Sequence, residues 1–255
     1  MHPRMCVDGT GTLWLTYYQW HKMRNNSRDK EVYLHHYKSD NWSSAIKVSP
    51  DDVPTYEDHT EPFIVPREKG VSVLWAWDFH KPKGYEFKAY CPTIFMRNVT
   101  GEAEISPVKL MSLGGVNGAA RAVLDSQGKI WNLYTDSYRS LTLSCICEGE
   151  ADKPVYAGNL ADANQLCSPN LLITPNKELL AIWAQYPRQS KNGSWTICWS
   201  KRKTTENDEW TKPKTLPLPI NCRFPSAAYS SDGKLWMAYI DDEKRVKVKA
   251  DLKLQ

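Results

Sequence analysis

Five stretches of the chain share one order of apolar and polar positions: a short apolar run, a polar turn, then a second apolar run, in which every stretch carries a tryptophan. They are 2–18 (HPRMCVDGTGTLWLTYY), 61–78 (EPFIVPREKGVSVLWAWD), 118–136 (GAARAVLDSQGKIWNLYTD), 168–185 (SPNLLITPNKELLAIWAQ) and 224–241 (FPSAAYSSDGKLWMAYID). Pro3, Pro62, Ala119, Pro169 and Pro225 mark equivalent positions, so the unit recurs every 50 to 60 residues or so, a period in the range of repeat architectures. The turns DGTG, REKG, DSQG, TPNK and SDGK supply the Gly, Asn and Asp that tight connections require, and flanking runs such as LWLTYY and KLWMAYI are rich in strand formers. Each stretch therefore predicts a β-hairpin. Further strands are predicted at 31–37, 85–91, 141–147, 194–200 and 246–252, with outer strands around 42–48 and 210–213. No segment keeps a helical period over a dozen residues.

Four-stranded units that can bury both faces only against their like make a β-propeller. The expected fold is all-β: a five-bladed β-propeller of four-stranded antiparallel blades, one domain over 1–255, with blades at approximately 1–55, 56–113, 114–162, 163–219 and 220–255. The last blade has residues for only three strands, so its outer strand is expected to be missing. Residues 245–254 alternate charged and apolar side chains, the pattern of an exposed edge strand guarded by charge against aggregation.

Composition narrows the function. Hydrophobic residues make up 41% of the chain, enough for a full core. With 33 basic against 29 acidic residues, the charge is too even for a dedicated nucleic-acid surface. Apolar runs fall far short of the roughly 18 residues of a membrane helix, so no membrane insertion is expected. Residues 1–25 carry no apolar signal-peptide core. The seven cysteines are odd in number and lack zinc-ribbon spacing, which favours free thiols and neither a metal nor a cofactor. Eleven Trp and thirteen Tyr against five Phe suit surfaces that are partly apolar and partly wet.

In a propeller, first strands begin and second strands end around the central channel, where a rigid scaffold presents loops for binding and catalysis. Asp78, Asp136 and Asp241 each follow a second-strand aromatic run, and Glu61 precedes a first strand. Carboxylates gathered there can serve as acid and base on a glycosidic bond, because crowding and burial separate their pKa values. Glu61, Asp78 and Asp136 are the candidate catalytic residues. His59, His80, Arg121, Tyr138, Gln185, Asp241 and Trp20 are the candidate substrate-binding residues. The same aspartates have a plainer reading as caps of their loops through local backbone hydrogen bonds. A His, a Tyr and a charge-neutralising Arg would instead allow β-elimination on an acidic polysaccharide.

The hairpins DGTGTLW, DSQGKIW and SDGKLW, with the Trp-x-x-Pro at Trp210, resemble those of sialidase-like, BNR-type β-propellers. Arabinanase-type propellers are similar in expected blade count. The sialidase Asp box and Phe-Arg-Ile-Pro element are not matched; Ser230-Ser231-Asp232-Gly233 and His2-Pro3-Arg4-Met5 stand where they are nearest. The resemblance implies carbohydrate as the substrate class and a location outside the cytoplasm, but no catalytic residue transfers by it. The expected function is binding and cleavage of a glycan or polysaccharide at the channel mouth, with a non-catalytic lectin or protein-interaction propeller as the alternative. The oligomeric state is left open.

Overall fold

The computed structural model describes residues 3–22, 28–49, 62–77, 93–101, 104–111, 121–136, 140–146, 155–162, 165–186, 193–204 and 209–254. These residues hold no helix, and their strands form five antiparallel sheets. The first sheet contains β1 (Arg4–Val7), β2 (Leu13–Lys22), β3 (Arg28–Lys38), β4 (Asn41–Trp42) and β5 (Ile46–Lys47), the last two both pairing β3. The second contains β6 (Phe63–Pro66), β7 (Val71–Trp77), β8 (Thr93–Gly101), β9 (Glu104–Ile105) and β10 (Lys109–Leu110), with β9 and β10 both on β8. The third runs β11 (Arg121–Leu124), β12 (Ile130–Asp136), β13 (Ser140–Ile146) and β14 (Val155–Asp162). The fourth runs β15 (Gln165–Ile173), β16 (Leu179–Tyr186), β17 (Thr196–Arg202) and β18 (Lys214–Thr215). The fifth has three strands: β19 (Arg223–Tyr229), β20 (Leu235–Ile240) and β21 (Val246–Lys249).

All five hairpins fall where the pattern placed them. The third strand of the second sheet does not: Thr93–Gly101 pairs β7, and 85–91 lies outside the described residues. At 210–213 the chain makes one backbone bond to β17, from Thr211 to Lys201, and the ladder forms one step later at Lys214–Thr215. The charged edge at β21 is exposed as expected, but so are Val246 and Val248 between its lysines.

The sheets group into two compact units, divided at Ala120 and Arg121. In the first unit, β1 lies against β6. Trp14, Val32, Leu34, Ile46 and Val48 of the first sheet and its edge interdigitate with Ile64, Val71, Val73, Trp75 and Val99 of the second. In the second unit, β15 lies against both β11 and β19. One face of β16 (Leu179, Ala181, Trp183) packs on Trp131, Leu133, Leu141 and Leu143 of the third sheet. Its other face (Leu180, Ile182, Ala184) packs on Leu235, Met237 and Tyr239 of the fifth. A strand covered on both faces needs apolar residues at every position, which is why LLAIWA shows no alternation. β20 alternates because only its Leu235, Met237 and Tyr239 face is covered; Trp236 remains 45% exposed.

One loop geometry recurs five times, at 8–12, 125–129, 174–178, 230–234 and 241–245. In each, the first residue's N–H donates to the fifth residue's carbonyl, and the fourth residue's N–H donates to the first residue's carbonyl. The fourth residue has a positive φ: Gly11, Gly128 and Gly233 near 80°, and Lys177 and Lys244 at 62°. This is a type I turn followed by a left-handed residue, a common three-residue hairpin connection. The first residue's side chain completes it. Asp8, Asp125, Thr174, Ser230 and Asp241 each accept the fifth residue's N–H at 2.9–3.2 Å. In two loops the tryptophan six residues on closes the cage: the indole N–H of Trp14 donates to Asp8 Oδ2 at 2.9 Å, and that of Trp131 to Asp125 Oδ2 at 2.8 Å. The Asp-x-x-Gly-x-x-Trp spacing is thus a folding device.

Within the first unit this device also joins two sheets. Gly70 N–H donates to Asp8 Oδ2 at 2.9 Å, and Gly9 N–H to the Arg67 carbonyl at 2.8 Å. A Cβ on Gly70 would stand 2.1 Å from the Val99 carbonyl oxygen, and one on Gly9 2.7 Å from that of Glu68. The approach is open to glycine alone.

Candidate functional site

The ends of the sheets where first strands begin and second strands end carry the sequence candidates that can be located. Arg121 opens β11 opposite Leu133 and is half-buried. Asp136 is the last residue of β12, opposite Ser140. Gln185 lies at the end of β16, between Leu166 and Thr196, and its Oε1 accepts the indole N–H of Trp183 at 2.9 Å. Asp241 directly follows β20. In the first unit, Trp20 stands near the end of β2, opposite Lys30. Glu61, Asp78, His59, His80 and Tyr138 lie outside the described residues.

Asp241 takes the cap role. It is buried, accepts the Arg245 N–H on Oδ1 at 2.9 Å, and has Arg245 Nε at 3.2 Å and Lys247 Nζ at 3.7 Å from Oδ2. The Arg245 backbone bond, against an opposing push from desolvation and with help from the two cations, holds its carboxyl below the usual range. A carboxylate so occupied stays ionised near neutrality and shapes the loop that it closes.

The second unit shows a feature that the pattern of apolar positions did not disclose. The first strands of the fourth and fifth sheets each carry a β-bulge, between Cys167 and Asn170 and between Arg223 and Ser226. At each bulge a residue before proline takes a left-handed backbone: Ser168 at φ 48° and Phe224 at φ 53°. Left-handed backbone is costly for a residue with a side chain, by about 1–3 kcal/mol, and proline biases its predecessor to extended conformations.

The surroundings hold both bulges in place. Asn170 Nδ2 donates to the carbonyls of Ser168 at 2.9 Å and Pro225 at 2.7 Å, while its Oδ1 accepts the Ala227 N–H at 3.4 Å. One side chain therefore stitches the two strained strands together. Burial pushes the neighbouring Cys167 thiol up, against an opposing pull from the Phe224 backbone, Ser168 and Arg223. Beside them, the Arg223 guanidinium lies 5.0 Å from the Trp195 ring centroid, with Tyr186 tilted against the same indole at 5.9 Å. Asn221 clamps Trp195 by accepting its N–H on Oδ1 at 3.3 Å and donating its own N–H to the Trp195 carbonyl at 2.9 Å. Arg223 and Phe224 are both exposed, Phe224 by 52%. Bulges re-aim side chains at sites of function, and here an aromatic residue and a cation that are adjacent in sequence are both exposed. The sequence signal was the X-Pro dipeptide at one repeat position, Ser168-Pro169 and Phe224-Pro225. Among the described residues, no group of three or more His, Cys, Asp or Glu is placed to hold a metal ion.

No protein-family model matches the chain, and no curated protein matches it in sequence. Its similarity is to solved structures. An endo-arabinase from Bacteroides thetaiotaomicron is 13% identical over 100% of this chain and 94% of that one, with a TM-score of 0.57. The alpha-L-arabinanase of Penicillium chrysogenum, solved with arabinobiose, is 15% identical over 98% of this chain and 76% of that one, with a TM-score of 0.56. An ulvan lyase of polysaccharide lyase family PL25 is 9% identical over 96% of this chain and 67% of that one, with a TM-score of 0.58. These are β-propeller enzymes, and at such identities the likeness is one of fold. The likeness of fold is to arabinanases and ulvan lyases; the sialidase-like type suggested by the DGTGTLW, DSQGKIW and SDGKLW hairpins is not supported.

Proposed function

We propose that this chain is a carbohydrate-active enzyme whose five sheets are the blades of a five-bladed propeller. A polysaccharide is held at the end where first strands begin and second strands end. The observation that carries this reading is the likeness of fold, over the whole chain, to an endo-arabinase of nearly the same extent. Fold alone does not fix chemistry, so the reaction rests on the residues assigned to that end.

Cleavage of a glycosidic bond needs one carboxyl group protonated to release the leaving oxygen, and a second ionised to attack or to activate water. Glu61, Asp78 and Asp136 are the acids proposed for these roles. His59, His80, Arg121, Tyr138, Gln185 and Trp20 hold the chain of sugars, and Asp241 supports them by closing its loop. Single replacement of the three acids by amides, Glu61→Gln, Asp78→Asn and Asp136→Asn, tests this reading. Reducing-end release from arabinan and from ulvan is expected to fall at least a hundredfold in two of the variants. Full activity in all three would remove the carboxylate mechanism. Unsaturated products absorbing near 230 nm, lost in His59→Ala and Tyr138→Phe, would assign β-elimination in its place.

A further inference from the structure

The left-handed backbone of Phe224, next to Arg223 in sequence, has no structural task that explains its cost. A buried core would hold an aromatic residue in extended backbone at less expense, and Phe224 is half out of the protein. Arg223 stands over an indole, and no carboxylate among the described residues pairs with it. A backbone outlier persists only where its surroundings over-determine it, and such outliers gather at ligand clamps. Here the over-determination is explicit: the bulge in β19 and the two Asn170 bonds, to the Pro225 carbonyl and from the Ala227 N–H, fix the backbone directly after Phe224.

We infer that Arg223 and Phe224 form a binding subsite for an anionic sugar unit, the ring face of the sugar against Phe224 and its carboxylate or sulfate against Arg223. The inference rests on the reading that the chain takes a polysaccharide, and it narrows that polysaccharide to one bearing acidic groups. A sugar ring presents C–H bonds that pack on an aromatic face, and a planar guanidinium forms paired hydrogen bonds with either anion. Stacking on Trp195 holds the guanidinium in one orientation before the ligand arrives, which lowers the entropy lost on binding. Trp195 is in turn held by Asn221, so the cation is positioned from behind by residues that never meet the sugar.

Calorimetric titration of the full chain separates the possibilities, with oligogalacturonate as the carboxylated probe, a carrageenan oligosaccharide as the sulfated one and arabino-oligosaccharide as the neutral one. The parent is expected to bind one anionic probe at least tenfold more tightly than the neutral one. Arg223→Gln should remove that preference. Phe224→Ala should weaken anionic and neutral probes alike by about tenfold, and Phe224→Gly should do the same while raising the melting temperature, since it relieves the left-handed backbone. A purely structural Phe224 would give the opposite sign in that last variant: lower melting temperature and unchanged binding. Parent-like binding in both Arg223→Gln and Phe224→Ala overturns the subsite. Should arabinan cleavage be present and sensitive to the acid variants, the wider function survives that result. Equal affinity of the parent for all three probes also overturns the anionic preference, and absence of any saccharide binding overturns both readings.

Discussion

The two ends of the sheets in the second unit solve opposite problems. At the hairpin end, the loops at 125–129, 174–178 and 230–234 satisfy themselves: side-chain acceptor, left-handed fourth residue and closing N–H recur with nearly constant distances. At the end where first strands begin, Ser168 and Phe224 adopt backbone that their side chains disfavour, and Arg223 and Phe224 project to solvent. At the hairpin end the first residue of each loop is engaged by the loop's own backbone. Asp125, with Oδ1 taken by two backbone N–H groups and Oδ2 by Trp131, has its acceptor sites engaged by the protein itself. The same comparison discriminates among acids that look alike in sequence: an aspartate after a strand is a cap when the fifth residue's N–H reaches it, as at Asp241.

The largest effect is expected from breaking the caged end. Asp8 accepts five hydrogen bonds, from Thr10 N–H and hydroxyl, Thr12 N–H, Trp14 indole and Gly70 N–H. Removing a charged acceptor strands the buried donors, and Asp8→Ala should lower the stability of the first unit by about 3 kcal/mol or more. Urea unfolding followed by tryptophan fluorescence reads this directly, and a loss within experimental error would show the cage to be idle. Asp125→Ala, with three such bonds, should cost about 2 kcal/mol.

A pH titration sharpens the same point. Burial pushes the Asp8 carboxyl up, but the bonds from Thr10, Trp14, Gly70 and Thr12 outweigh it and hold the group at about 2, against an ordinary 3.8. A depressed folded pKa contributes stability above the unfolded value, and that contribution disappears as pH falls through the folded one. Acid unfolding between pH 4 and 2 should therefore lose a component in Asp8→Asn. An identical acid profile in parent and variant would mean that another carboxylate carries that loss.

The strained end is expected to respond in the other direction. Ser168→Gly should stabilise by about 1 kcal/mol, since glycine takes positive φ without penalty. At the caged end the same substitution at Lys177, already in a left-handed loop position, should gain less, about 0.5 kcal/mol. Should Lys177→Gly gain more than Ser168→Gly, the strain assigned to the bulges is wrong. Smallest of all is the expected effect of Asp241→Asn on glycan binding, within twofold, because the amide oxygen can still accept the Arg245 N–H. A tenfold loss would give Asp241 a direct part in binding.

Much of this was legible from residue order. Hairpins are local objects, so Asp-x-x-Gly and flanking strand formers suffice to place 8–12, 125–129 and their flanks. Third and fourth strands depend on distant partners. The strand Thr93–Gly101 was not read from the sequence, because its place is set by pairing with β7. Val155–Asp162 passes unnoticed because VYAGNLAD is short of strand formers, and its ladder on β13 shifts register twice. The strand-end positions of Arg121, Asp136, Gln185 and Asp241 were readable, since a repeat gives each the same place in its hairpin. The bulges were not. A residue before proline is expected to be extended, and the bulge at Phe224 is held by Asn170 of another sheet through Pro225 and Ala227.

The five-residue loop carries a consequence for descent. Its closure draws on one acceptor side chain, three backbone N–H groups and two carbonyls, and the acceptor is Asp, Thr or Ser without change of shape. The tryptophan that completes the cage at Trp14 and Trp131 is dispensable, since the loops at 174–178 and 241–245 have Leu180 and Lys247 in that place. A chain assembled from such corners can exchange nearly every other residue while each hairpin still closes alone. Ancestry in molecules of this kind is recorded in geometry long after it has faded from the letters.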